Sequence, residues 1–214
     1  MNPADLTLYL VTDSDLCPPE KVPGVVEKAI RGGVTLVQLR EKTASSREFY
    51  QRALAVKAVT QAYRVPLIIN DRLDIALAVD ADGLHIGQED LPASVARRIL
   101  GPDKLLGVSV STVEEAMAAA QDGADHLGVG ALFPTDTKEV DHLVDALAIR
   151  QIRQQSGLPL VGIGGIKASN MDVLRGSLAD GVAVVSAIMC SHDPEAAARE
   201  LGEAYRKAGV TDEI

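Results

Sequence analysis

The chain has 214 residues, 47% hydrophobic and 24% charged, a globular balance that excludes disordered, collagen-like and coiled-coil organisations. At this length roughly three-quarters of the unfolded surface is buried on folding, enough for a single domain over residues 1–214 and short for two. Lysine and arginine number 21 against 30 aspartates and glutamates, a net charge of −9, so no nucleic acid and no membrane is expected as a partner, and an anionic small substrate needs a locally basic pocket.

In chain order, Met1 to Asp5 carries no basic segment ahead of an apolar run, and no stretch of about 18 apolar residues follows, so a cytoplasmic, soluble protein is expected. Cys17 and Cys190 lie far apart in sequence with no CxxC, which fits reduced thiols and marks no metal site. Eight short apolar, β-branched runs recur: Leu6 to Val11, Val34 to Leu39, Pro66 to Ile69, Gly83 to Ile86, Leu105 to Val110, His126 to Val129, Leu160 to Ile163 and Val182 to Val185. Between them lie alanine-rich, charged stretches with helical spacing, such as Phe49, Ala53, Val56, Thr60 and Tyr63. Ser45 with Glu48 and Ser111 with Glu114 read as capping boxes, and Gly32-Gly33, Gly123 and Gly181 read as helix ends. Nearly continuous hydrophobic strands alternating with helices predict a covered parallel sheet, and eight repeats predict a (β/α)8 TIM barrel. An open doubly wound sheet would carry a glycine-rich turn after its first strand, and Val11-Thr12-Asp13-Ser14-Asp15 is not one.

A barrel builds its site at the carboxyl ends of its strands. Those ends here read Gln38-Leu39-Arg40-Glu41-Lys42, Asn70-Asp71-Arg72, His85 to Asp90, Ser109, Phe133 to Lys138, Gly162 to Gly165, and Ser186. Each has a plain structural alternative: a solvated junction for the pentad, a turn for Asn70-Asp71, a helix cap for Asp90, a tight turn for the glycines and a hydrogen-bonded rim histidine for His85. Their convergence on one mouth favours function. Asp71 and Asp90 with the cations Arg40, Lys42 and Lys138 suit a magnesium polyphosphate, because Mg2+ takes one or two carboxylates plus phosphate oxygens while basic side chains neutralise the rest. Gly164-Gly165 and the backbone at Val185-Ser186 match the monophosphate site that barrels form after strands seven and eight. A diphosphate and a monophosphate, with no nucleophilic serine elbow, catalytic Cys/His pair or dinucleotide fingerprint, point to substitution with pyrophosphate leaving.

These segments, together with Leu8-Tyr9-Leu10-Val11-Thr12-Asp13, Gly107-Val108-Ser109, Gly162 to Ile166 and Val184 to Ile188, resemble the thiamine-phosphate synthase family (thiamine-phosphate pyrophosphorylase) in order and over nearly the whole chain. The resemblance implies a transferase of thiamine biosynthesis. It would condense 4-amino-2-methyl-5-(diphosphomethyl)pyrimidine with a thiazole phosphate, carboxylated or plain, by departure of pyrophosphate and capture of the pyrimidinyl-methyl cation by the thiazole nitrogen. By the same resemblance Gln38 and Asn70 contact the aminopyrimidine. Arg40, Lys42, Ser109 and Lys138 bind its diphosphate, with Arg40, Ser109 and Lys138 as the catalytic set. Asp71 and Asp90 hold magnesium. Leu39 and Glu41 belong to the substrate-binding stretch, and Thr135, Asp136 and Thr137 to the thiazole phosphate loop, whose phosphate also meets Gly165, Val185 and Ser186. Glu41 and Arg72 have the further option of orienting neighbours through salt bridges. The chain departs from the family where a proline ordinarily precedes the Phe-Pro-Thr run, having Gly130-Ala131-Leu132, and in the acidic Glu139 after Lys138. Two other readings share parts of this pattern, a thiazole tautomerase-like enzyme and a non-catalytic sensor of thiamine intermediates. A homo-oligomer is allowed.

Overall fold

The computed structural model describes residues 5–134 and 143–209. Eight parallel strands close in sequence order into a barrel: β1 (Leu8–Val11), β2 (Leu36–Leu39), β3 (Leu67–Asn70), β4 (Gly83–Ile86), β5 (Leu105–Val110), β6 (His126–Gly130), β7 (Leu160–Ile163) and β8 (Gly181–Val184), the last pairing back to β1. The helices outside are α1 (Val22–Arg31), α2 (Ser46–Tyr63), α3 (Leu73–Ala78), α4 (Ala93–Leu100), α5 (Val113–Gln121), α6 (Ala146–Ser156), α7 (Ser186–Met189) and α8 (Pro194–Ala208). A 3-10 segment, Ala168–Leu174, stands where the helix after β7 was expected. No described helix is long and apolar enough to cross a membrane.

Two cores follow from the strand's period of two. Side chains pointing outward, among them Leu8, Leu10, Val37, Leu39, Leu67 and Ile69, pack under the helices, including Phe49, Ala53 and Val56 of α2. Inward positions hold a smaller apolar plug of Leu6, Tyr9, Val11, Leu36, Ile68, Leu105, Val161 and Ala183. Polar residues crown that plug, because Gln38, Asn70, His85, Ser109 and His126 each share inward parity with an apolar neighbour two residues away or with a strand partner.

At the amino-terminal rim the chain repeats one device. Asp82, Asp125 and Asp180, each the residue just before a strand, accept from the backbone N–H of Leu67, Leu106 and Leu160 at 2.8, 2.7 and 2.9 Å. Arg97 also meets Asp125, and Arg153 meets Asp180 at 3.0 Å. The glycine that follows Asp180 is not a helix end as the sequence suggested. Gly181 opens β8, where a Cβ would collide with the Leu6 carbonyl oxygen. The Ser45–Glu48 capping box forms as expected. The second box does not form: Thr112, one residue on, caps α5 by its Oγ1 accepting from Glu115 N at 3.2 Å, while the Glu115 carboxylate accepts from Ser111 N and the Ser111 hydroxyl is drawn off toward the Gly130 carbonyl. Gly32 caps α1, and Gly33 and Gly123 take positive φ after their helices.

Candidate active site at the carboxyl end of the barrel

The β1–β2 corner fixes the first cation. Arg40 N donates to Thr12 Oγ1 at 3.1 Å, and the Arg40 guanidinium donates to the buried Asp13 carboxylate at 2.7 Å. The charge is thereby aimed by a carboxylate one strand away, and Asp13 is held in turn as the acceptor of Asp15 N–H. Neither Thr12 nor Asp13 was singled out for a role in the sequence. Next to them Gln38, only 5% exposed, donates its amide to the Tyr9 hydroxyl at 2.8 Å inside the barrel.

The acidic part of the mouth sits on β3 and β4. Asp71 takes a left-handed backbone, φ 60°, that a carboxamide or carboxylate residue tolerates better than most. Its amide donates to the His85 carbonyl at 2.8 Å, and its carboxylate accepts from Asn70 Nδ2 at 2.7 Å and from Lys42 Nζ at 2.5 Å. Burial pushes the Asp71 carboxyl above the usual carboxylate range; Lys42 opposes that and the facing Asp90 carboxylate adds to it. Asp90 is not the helix cap that its sequence position allowed. Its Oδ2 accepts from Gly87 N at 2.7 Å, closing the loop that carries it, and α4 starts at Ala93 with Pro92 as its N-cap and no side-chain cap. Two half-buried carboxylates that face each other demand a positive partner. Lys42 partly supplies it, and their hard oxygen donors fit a magnesium ion shared with phosphate oxygens. No described group of three or more acidic, histidine or cysteine side chains forms a larger cluster.

Ser109, at the end of β5, shares a 2.9 Å hydrogen bond with His85 Nε2, and its carbonyl accepts from Gln88 at 2.7 Å. His85 is an interior residue and not a rim one. Across the mouth, Gly164 and Gly165 have φ of 102° and 66°, with Ala131 packed where a Gly164 Cβ would fall and Phe133 where a Gly165 Cβ would fall. The alanine that replaces the expected proline is therefore a packing partner of the glycine turn. Val185 precedes the first turn of α7, whose leading amides, Ser186 among them, lack intrahelical acceptors by geometry.

Three of the sequence-derived positions face elsewhere. The Glu41 carboxylate, 1% exposed, binds Arg52 of α2 at 2.6 Å and lines a groove of about 410 Å³ on the barrel flank between α1 and α2. The Leu39 side chain belongs to the core beneath the helices. Arg72 is engaged by Asp74 and Ser46. Glu41 and Arg72 thus take the salt-bridge option the sequence allowed. Thr135, Asp136, Thr137, Lys138 and Glu139 lie outside the described residues.

The model of the thiamine monophosphate synthase family matches residues 8–188, from the first residue of β1 to α7. A thiamine-phosphate synthase of Clostridium tetani is 51% identical over 92% of this chain and 94% of its own length. One of Ruminiclostridium cellulolyticum is 54% identical over 94% and 96%. Among solved structures, a thiamine phosphate pyrophosphorylase from Pyrococcus furiosus superposes with a TM-score of 0.87 at 37% identity, covering 96% of this chain and 98% of that one. A barrel closed in the same order, the family match along its strands and half of all residues shared with these relatives lead to one conclusion: the chain belongs to the thiamine monophosphate synthase family.

Proposed function

We propose that this chain is a cytosolic transferase that joins 4-amino-2-methyl-5-(diphosphomethyl)pyrimidine to a thiazole monophosphate, forming thiamine phosphate and releasing pyrophosphate. The observation that carries the substrate reading is the facing pair Asp71 and Asp90 with Lys42 on one carboxylate and Arg40 on the neighbouring strand end. Like charges in a half-buried site persist when a cation and a polyanion complete them. A magnesium ion held by Asp71 and Asp90 would neutralise diphosphate oxygens and stabilise the leaving group.

The chain's own groups do the rest. Arg40, fixed by Asp13, and Lys42, within reach of the Asp71 carboxylate, bind the diphosphate and stay on it as negative charge grows during cleavage of the carbon–oxygen bond. Ser109 adds a hydroxyl held by His85, and Lys138 adds a further ammonium. Gln38 and Asn70 orient the aminopyrimidine. The pyrophosphate takes the bonding electron pair, and the thiazole nitrogen gives its lone pair to the exposed methylene carbon. Thr135, Asp136 and Thr137, with the amides of Gly165, Val185 and Ser186, place the thiazole phosphate for that attack, so that orientation replaces much of the entropic cost of a bimolecular step.

A thiazole tautomerase has no use for a diphosphate site, and the acidic pair with its cations therefore favours the synthase. The test incubates purified protein with both substrates and magnesium and measures pyrophosphate and thiamine phosphate together. Equal yields of the two are expected; a folded protein that makes neither overturns the proposal.

A further inference from the structure

The turn after β7 carries two consecutive glycines of positive φ, Gly164 at 102° and Gly165 at 66°. Successive amides in such a turn curl into a concavity that attracts anions. Among the described residues the Gly165 and Ile166 amides donate to no acceptor. Behind the turn stands Asn170, in the first turn of the Ala168–Leu174 3-10 segment, with both ends of its side chain engaged. Its Oδ1 accepts from Lys167 N at 2.8 Å, and its Nδ2 donates to the Gly165 carbonyl at 3.0 Å. A backbone N–H can only donate and a carbonyl can only accept, so these two partners leave the carboxamide one orientation. The Gly165–Ile166 peptide is trans, which sets its N–H opposite its C=O. Asn170 holds the carbonyl on the side of the 3-10 segment, outside the barrel wall, and the Ile166 N–H is thereby turned toward the mouth.

We propose that Asn170 is a positioning residue, which pins the Gly165–Ile166 peptide so that the Ile166 N–H is a preset donor to the monophosphate of the thiazole substrate. The proposal rests on the thiazole phosphate reading of this side of the mouth. A purely local tie at the start of the 3-10 segment would need only the Lys167 contact. The second contact, to Gly165, reaches back across the turn and sets the plane of a peptide outside that segment. Ile166 is itself only 4% exposed, so its amide, given no acceptor by the fold, gains most from an anion seated in the turn. A phosphate there meets a donor already in place, and hydrogen bonds to an ionised acceptor are roughly twice as strong as neutral ones. Without Asn170 the peptide is free to turn and the donor is no longer preset.

Amide nuclear magnetic resonance of the isotope-labelled protein, titrated with thiazole phosphate and with the thiazole alcohol that lacks the phosphate, reads the contact at the amide itself. The Ile166 amide proton of the wild type is expected to move downfield with the phosphate and to stay in place with the alcohol. Asn170→Ala is expected to lose that movement and to weaken thiazole phosphate binding by at least about tenfold, while affinity for the magnesium pyrimidine diphosphate stays within about twofold, which a general loosening of the barrel would not spare. Asn170→Asp, ionised, keeps an acceptor for Lys167 N–H but has no donor for the Gly165 carbonyl. It must lose the movement as well, and it decides the matter if Asn170→Ala fails to fold. Wild-type behaviour in either folded variant, or an Ile166 proton that ignores the phosphate in the wild type, overturns the proposal. An Ile166 response that depends on Asn170 in a protein that forms no thiamine phosphate would instead strike the functional reading.

Discussion

The two ends of the barrel use the same side chain in opposite ways. At the amino-terminal rim Asp82, Asp125 and Asp180 each accept from a strand amide, and the last two also meet an arginine, so every carboxylate has its partners within the fold. At the carboxyl-terminal mouth Asp71 and Asp90 face each other, and burial together with that opposition raises the Asp71 carboxyl against the pull of Lys42. An acid whose partners are all internal is a structural tie. An acid whose charge the fold leaves in conflict is prepared for something outside the chain.

Neutralising the mouth should therefore cost activity and little stability. Asp71→Asn and Asp90→Asn are each expected to lower turnover by about 1,000-fold, the scale of a lost charge-stabilising group, while the melting temperature stays level or rises as the opposition is relieved. Removing divalent cations with a chelator should abolish turnover and restoring magnesium should recover it. Thermal melts and steady-state rates check both. Equal losses of stability and rate would make these residues ties like those at the other rim.

Lys138 sharpens the same comparison one step down. If its ammonium meets the departing pyrophosphate, Lys138→Ala lowers the single-turnover chemical rate by about 100-fold or more and leaves thiazole phosphate affinity nearly unchanged. Lys138→Arg recovers little where placement matters, since a guanidinium fork differs in shape and reach. An unaltered chemical rate with weakened thiazole phosphate binding would move Lys138 to the monophosphate half of the site.

Asp180→Ala is the mirror experiment. It leaves Leu160 N–H and Arg153 without their acceptor and is expected to cost about 2 kcal/mol of stability, read by denaturant titration, with the turnover of the folded fraction unchanged. A selective loss of turnover would erase the division between the rims.

Much of this was legible in the sequence because barrel strands announce themselves twice, by apolar runs and by the polar residues that end them. Asp71, Asp90, Arg40, Lys42 and Ser109 all stand at such ends. The inward residues were hidden. Tyr9 and His126 lie within runs that read as continuous core, and only the closure of the barrel shows which parity points inward. Glu41 shows what spacing leaves open: next to Arg40 in sequence, it turns to the opposite side of the chain and meets Arg52 of α2, a helix partner no spacing rule selects. Asp13 was quoted in the sequence only as part of a run, since its work is done on Arg40, 27 positions away.

The effect confined to acid pH should come from the barrel interior, where neither rim's logic applies. His126 is buried against both Tyr9 and His85, its ring nitrogens have no hydrogen-bond partner among the described residues, and desolvation brings its pKa down to about 4. In the unfolded chain a histidine titrates near 6.5. Between those values the unfolded state binds a proton that the folded state refuses, so stability is full above about pH 6.5 and declines as pH falls toward 4, by up to about 1.4 kcal/mol per pH unit within that window. His126→Phe removes the titrating group while keeping a ring against Tyr9, and should flatten this part of the stability profile. Denaturant titrations from pH 7 to pH 4.5 on both proteins measure the difference. Parallel profiles would mean that the acid sensitivity belongs to other groups and that His126 is paired with something that lets it carry charge.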